Sequence, residues 1–359
     1  MKKAWVGLLG IVSALGPLGC STGSFPGLGY LLQAGRGQLA LSWGGRPLEE
    51  VMRDPQTSPE LKRLLEETHP IREFGIRHGI KPTQSYQKYI QLDREAAVWV
   101  VTASDRLAFR SKVWSFPIAG SFHYLGWFDR SDANAYAQRL AIEGWDTDVR
   151  GAGAYSTLGW FDDPLLSTMI SSGATAMGDW VNVLLHESVH ATVFVKGQSS
   201  FNESLADTVA DRLTSAYLQE RFGASAPEWT HYRDAQARVE QRAKRLHAAY
   251  FELSSIYGSA ALSDAQKLEK KKSVFEALRS ELKIQREITN ATLLGFKTYQ
   301  TGKAGFDACL DACGGDVSRL LQRMSRLNEG DFPKEQVQEE LDEFLLKVAQ
   351  SGCDSAAPI

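Results

Sequence analysis

Cysteine is scarce in this chain, four in 359 residues, so a small disulfide-stapled scaffold is excluded and stability must come from a packed core, for which the length is ample. An excess of charge of either sign is missing as well. With 40 Lys+Arg against 43 Asp+Glu the formal net charge is -3, which offers no basic footprint for nucleic acid and no acidic solvating tail. Long apolar runs are absent beyond the first twenty residues, and no internal repeat is evident, which excludes a polytopic membrane protein and a solenoid. What remains, 43% hydrophobic and 23% charged residues, is the composition of an ordinary folded body.

The N-terminus reads as an export signal: Met1-Lys2-Lys3 supplies positive charge, and Ala4 to Leu18 is an apolar run too short for a comfortable membrane span. Leu18-Gly19-Cys20 resembles the lipobox of bacterial lipoproteins, with Pro17 departing from the usual Leu, and the resemblance implies lipid attachment at Cys20 and a membrane anchor through it. A plain cleaved signal is the alternative, and either route exports the protein. Ser21 then implies the outer membrane, or its periplasmic side, if the cell is Gram-negative. Residues 1–20 are thus a lipoprotein signal peptide and 21–359 one domain. Export would place Cys309, Cys313 and Cys353 in an oxidising compartment, where at most one bridge can form among them. Cys309 and Cys313 share a helix with poor bridging geometry, so Cys353 pairs with one of them or all three stay free.

Periodicity predicts helices over 30–43 and 58–75, short aromatic and β-branched strands at 96–102, 112–117, 121–128 and 147–150, and a capped helix over 131–144. After Trp180 the pattern is almost wholly helical: 180–195, 202–221, 228–256, 263–299, 303–313, 316–327 and 333–350. The Lys-rich run from Lys267 to Lys272, interspersed with glutamates, reads as a solvated helix face. The fold class is therefore α+β: a small mixed sheet within a helical and sheet part over 27–170, followed by a largely helical half over 171–359.

Chemistry concentrates at His186-Glu187-Ser188-Val189-His190, an HExxH pattern within an apolar helical run. Residues four apart share a helix face, so both imidazoles can reach one Zn2+ ion, while Glu187 borders that face and can handle the proton of a water the metal activates. A third ligand is required. Thirteen residues after His190 stands Glu203, within Phe201-Asn202-Glu203-Ser204-Leu205-Ala206-Asp207 at the start of a second helix. A His186, His190, Glu203 set leaves the fourth zinc position open, as catalysis demands. Asp207, four residues further on the same face, is placed to fix the tautomer of a ligand histidine. Lys196-Gly197-Gln198-Ser199 supplies the turn that folds the second helix back on the first.

HExxH followed by Asn-Glu-x-x-x-Asp resembles the thermolysin-type, or gluzincin, zinc peptidases, although the interval between the two elements is shorter here. More specifically, residues 155–169, the HExxH run, Val195-Lys196-Gly197 and Phe201 to Ser204 resemble a bacterial family of predicted aminopeptidases, often lipoproteins, over about residues 30 to 327. The resemblance implies a zincin-like metallopeptidase half, one Zn2+, a peptide substrate, and Glu187 as general base and acid. It also implies N-terminal specificity, with endopeptidase action or a non-catalytic zinc-stapled lipoprotein as alternatives. The family often has Cys where Ser115 and Ser121 stand here. Substrate contacts are open: Tyr155 and Ser156 lie on a segment resembling the strand that aligns an extended peptide. Tyr299, His123, Tyr155 and His231 are candidate oxyanion donors, and Asp162 or Asp163 is a candidate partner for a substrate ammonium.

Overall fold

The computed structural model describes residues 30, 33, 34, 37, 44–116, 120–154, 162–298, 302–338 and 340–355. In chain order these form β1 (Arg46–Pro47), α1 (Leu48–Arg53), α2 (Pro59–Arg77), β2 (Lys88–Ile90), β3 (Val98–Ser104), β4 (Trp114–Phe116), β5 (Gly120–Phe122), β6 (Leu125–Trp127), α3 (Arg130–Ile142), β7 (Asp146–Ala152) and β8 (Leu165–Leu166). Helices follow: α4 (Ala176–His190), α5 (Ser199–Phe222), α6 (Pro227–Gly258), α7 (Asp264–Leu282), α8 (Asn290–Thr298), α9 (Lys303–Ala312), α10 (Val317–Met324) and α11 (Leu341–Gln350). The fold is α+β, and the strands make small sheets rather than one: mixed β1-β2-β8, antiparallel β6-β3-β7 and the hairpin β4-β5. Among the described residues no helix is long and apolar enough to cross a membrane.

β3 is the hub. Its register sets Trp99 against Trp127 on one side and Val100 against Arg150 on the other. Alternation sends Val98 and Val100 into the main core, which runs from Val51 to Cys353, and Val101 and Ala103 into a second core with Trp114, Trp127 and the buried face of α3. A third cluster, with Leu253, Phe275 and Leu293, joins α6, α7 and α8. α3 starts where Asp129 accepts from the amides of Ser131 and Asp132, and α7 carries a full capping box between Ser263 and Gln266.

Two expected helices differ in extent for tertiary reasons. The helix expected over 263–299 breaks at Lys283, left-handed at φ 52°, and restarts at Asn290, which caps into Asp146 and the loop carbonyls of Asp105 and Arg106. The one expected from 333 begins only at Leu341, because the preceding backbone is used elsewhere: Gln336 N donates to Gly197 O (2.8 Å) and Val337 N to Gln198 Oε1 (3.0 Å). The Lys-rich run is not wholly solvated either. Lys271 turns inward, bonds the Arg106 carbonyl at 2.9 Å and pairs with Asp146. The bridge forms between Cys313 and Cys353, while Cys309 is a buried free thiol.

Candidate metal centre

α4 is apolar almost all round, so it must lie in the core, and Trp180, Val181, Val183, Leu184, Leu185 and Val189 are each 1% exposed or less. Its burial carries His186, Glu187 and His190 inside with it. The turn that follows needs a left-handed residue, supplied by Gly197 at φ 71°. Asn202 locks that turn from the next helix: its Oδ1 accepts from Val195 N and its Nδ2 donates to Val195 O, both at 2.8 Å. α5 then runs back along α4, since His190 meets Glu203, His186 meets Glu203 and Asp207, and Asn182 meets Asp211.

Three side chains converge. His190 Nε2 and His186 Nε2 are 3.2 Å apart, and Glu203 places Oε2 3.6 Å from His186 and Oε1 3.7 Å from His190. Their ligand atoms lie within 4.8 Å of one another, in a geometry that could hold a metal ion. On the far ring nitrogen, His186 Nδ1 lies 3.1 Å from Asp207 Oδ1. Glu187, 1% exposed, has no hydrogen-bond partner for either oxygen among the described residues. Such an orphaned buried carboxylate is costly and asks for an explanation in function.

The electrostatics follow from burial. Burial opposes charge on His186, but Asp207 and Glu203 outweigh it and hold its pKa up at about 10. Burial pushes the Glu187 carboxyl up to about 8, against the pull of His186 and aided by the charges of Glu203 and Asp163. His190, lacking an equally close acceptor on its far nitrogen, is pushed down to about 4 by burial.

Of the weaker candidates, Asp163 is buried and Asp162 exposed. Asp163 is anchored by its backbone: its N donates to Ser85 Oγ at 3.1 Å, and its O accepts from the Tyr86 amide at 2.6 Å. Tyr86 is buried with a left-handed backbone at φ 67°, an unusual strain for a bulky residue. Burial, then the charges of Glu187 and Asp163, hold its phenol well above the usual value. No sequence signal marked Tyr86. His123 lines a cavity with Glu203, Arg150 and Ser199, and neither ring nitrogen has a partner among the described residues. His231 is exposed on α6. Tyr155, Ser156, Tyr299 and Cys20 lie outside the described residues, as does most of the helix expected over 30–43.

Residues 29–341 match the family described as "Putative aminopeptidase". No curated protein and no solved structure gives a significant match.

Proposed function

Because the chain belongs to this aminopeptidase family, we propose that it is a zinc-dependent aminopeptidase, exported and held at the cell envelope by a lipid on Cys20. The observation that carries the reading is the convergence of His186, His190 and Glu203 in the core beside a Glu187 carboxylate that no other described residue hydrogen-bonds. Two imidazoles and one carboxylate are the donor set of catalytic zinc, which keeps a fourth position open. When bound, the ion supplies Lewis acidity to the scissile carbonyl and lowers the pKa of water.

The protein's own groups do the rest. Asp207 holds the His186 ring so that Nε2 faces the ligand position. Glu187 takes the proton of the attacking water on a carboxylate oxygen and later delivers it to the leaving amine. Its buried setting favours the protonated form it needs for the second half of that cycle. Asp163, buried and electrostatically in reach of Glu187, supplies the anion that holds a substrate α-ammonium, and this favours exopeptidase over endopeptidase action.

The test is zinc per purified chain, together with hydrolysis of alanine p-nitroanilide and its N-acetyl counterpart. One zinc, cleavage of the unblocked substrate alone, and a Glu187→Gln protein that keeps zinc but is inactive are expected. A pure Glu187→Gln protein that still hydrolyses would overturn the mechanism, and a wild type that takes up no metal would overturn the function.

A further inference from the structure

The cavity beside the metal centre brings one cation, Arg150, to the far side of the Glu203 carboxylate. Its walls include Thr102, Ser111, His123, Arg150, Glu203 and Gly295, so one metal-ligand side chain separates it from the histidine pair. Arg150 comes from the centre of β7, a position fixed by its register against Val100, and its guanidinium passes over Gly295 of α8. A Cβ on Gly295 would stand 3.1 Å from Arg150 Nη1, so the glycine makes room for the cation at the cavity wall. The guanidinium offers five N–H donors in a planar fork. His123 adds an imidazole whose Nδ1 and Nε2 are both buried with no partner among the described residues. Thr102, Ser111 and Ser199 add hydroxyls. A buried group left without partners is expected to acquire them from a ligand.

Resting on the peptidase reading above, we propose that this cavity receives a carboxylate carried by the substrate, held by Arg150 and His123. Planar forked donors facing a carboxylate give the strongest class of polar contact. The site thus has two poles. Asp163 on the Glu187 side takes the positive N-terminus, and Arg150 on the Glu203 side takes a negative group beyond the scissile bond. Two substrates supply that chemistry: a dipeptide, through its terminal carboxylate, or a longer peptide with Asp or Glu in its second position.

Calorimetric titration of zinc-loaded, inactive Glu187→Gln protein with two peptide pairs separates them. Ala-Ala against Ala-Ala-amide reads the terminal carboxylate, and Ala-Asp-amide against Ala-Asn-amide reads the side chain. The carboxylate member of one pair is expected to bind about tenfold tighter, the weight of one charge-assisted contact, and the pair that shows it names the source. Arg150→Gln and His123→Gln should each shrink that ratio while zinc content stays at one per chain. If Glu187→Gln is poorly folded, KM of the wild type for the same four peptides gives the same comparison. Equal binding within both pairs overturns the proposal. Peptide cleavage without carboxylate preference would sink the pocket and leave the peptidase reading standing; carboxylate preference without any cleavage would do the reverse.

Discussion

Asp207 Oδ1 stands 3.1 Å from Nδ1 of His186, on the side of the ring turned away from Glu203. Four residues separate Asp207 from Glu203 on α5, so one helix face delivers both the carboxylate beside the histidine pair and the carboxylate at the far nitrogen of His186, which the proposed metal centre would use to fix that ring. Asp207→Ala is therefore expected to lower zinc affinity about 10- to 100-fold without changing the number of ligands. Competition with a chromophoric chelator measures this. Unchanged affinity would mean that the contact does not orient His186.

The shared face of Glu203 and Asp207 was legible in the sequence because both lie within one motif and helix periodicity converts spacing into a common face. The strands at 98–104, 114–116 and 146–152 were legible from their aromatic and β-branched residues, whereas the single strand expected over 121–128 is two, Gly120–Phe122 and Leu125–Trp127. What stayed hidden depends on residues far apart in the chain. His123, Arg150 and Glu203 share a cavity only because β5, β7 and α5 are brought together by the fold. Tyr86 meets Asp163 through one backbone hydrogen bond across 77 positions of sequence. The late start of α11 has the same origin, since the amides of Gln336 and Val337 are used by the turn between α4 and α5.

The disulfide choice was ambiguous locally and is settled by packing. Cys309 and Cys313 sit one turn apart, but Cys309 Sγ is directed at the Leu345 carbonyl at 3.2 Å, while Cys313 at the end of α9 meets Cys353 beyond α11. The bond closes a loop with a sequence separation of 40, for which chain entropy predicts about 4 kcal/mol of stabilisation. Cys313→Ser/Cys353→Ser is expected to lower the urea midpoint accordingly, and Cys309→Ala to leave the response to reductant intact. A midpoint indifferent to dithiothreitol would contradict the bridge.

Glu67 on α2 ties that helix to α5. Burial raises its pKa, but hydrogen bonds from Arg221, at 2.9 Å, and from the Tyr217 hydroxyl, at 2.5 Å, outweigh burial and bring it below the usual glutamate value. A carboxylate depressed in the folded state contributes stability that is fully present above its unfolded pKa and is lost as pH falls through the folded one. Glu67→Gln should thus lower the urea midpoint at pH 7, and the gap to wild type should close in acid, below the usual glutamate range. A gap that persists undiminished at low pH would assign the effect to packing instead of charge.

Gly178 on α4 faces Tyr232 of α6 so closely that a Cβ there would stand 2.5 Å from the ring Cδ2 and 2.7 Å from Tyr232 Cβ. The second contact is with the root of the side chain, which a rotamer change cannot remove. Tyr232 is also tethered at its other end, where its hydroxyl bonds Asp211 at 3.2 Å and accepts from Asn182 at 3.1 Å. Relief must then come from moving α6 away from α4, the helix that carries His186 and His190. Gly178→Ala gains helix propensity worth about 1 kcal/mol, yet overpacking of about 1–3 kcal/mol should win. The expected outcome is a lower thermal midpoint together with weaker zinc retention, read on the same sample by unfolding and by metal content after dialysis against chelator. A more stable protein would show that α6 yields without cost at this crossing.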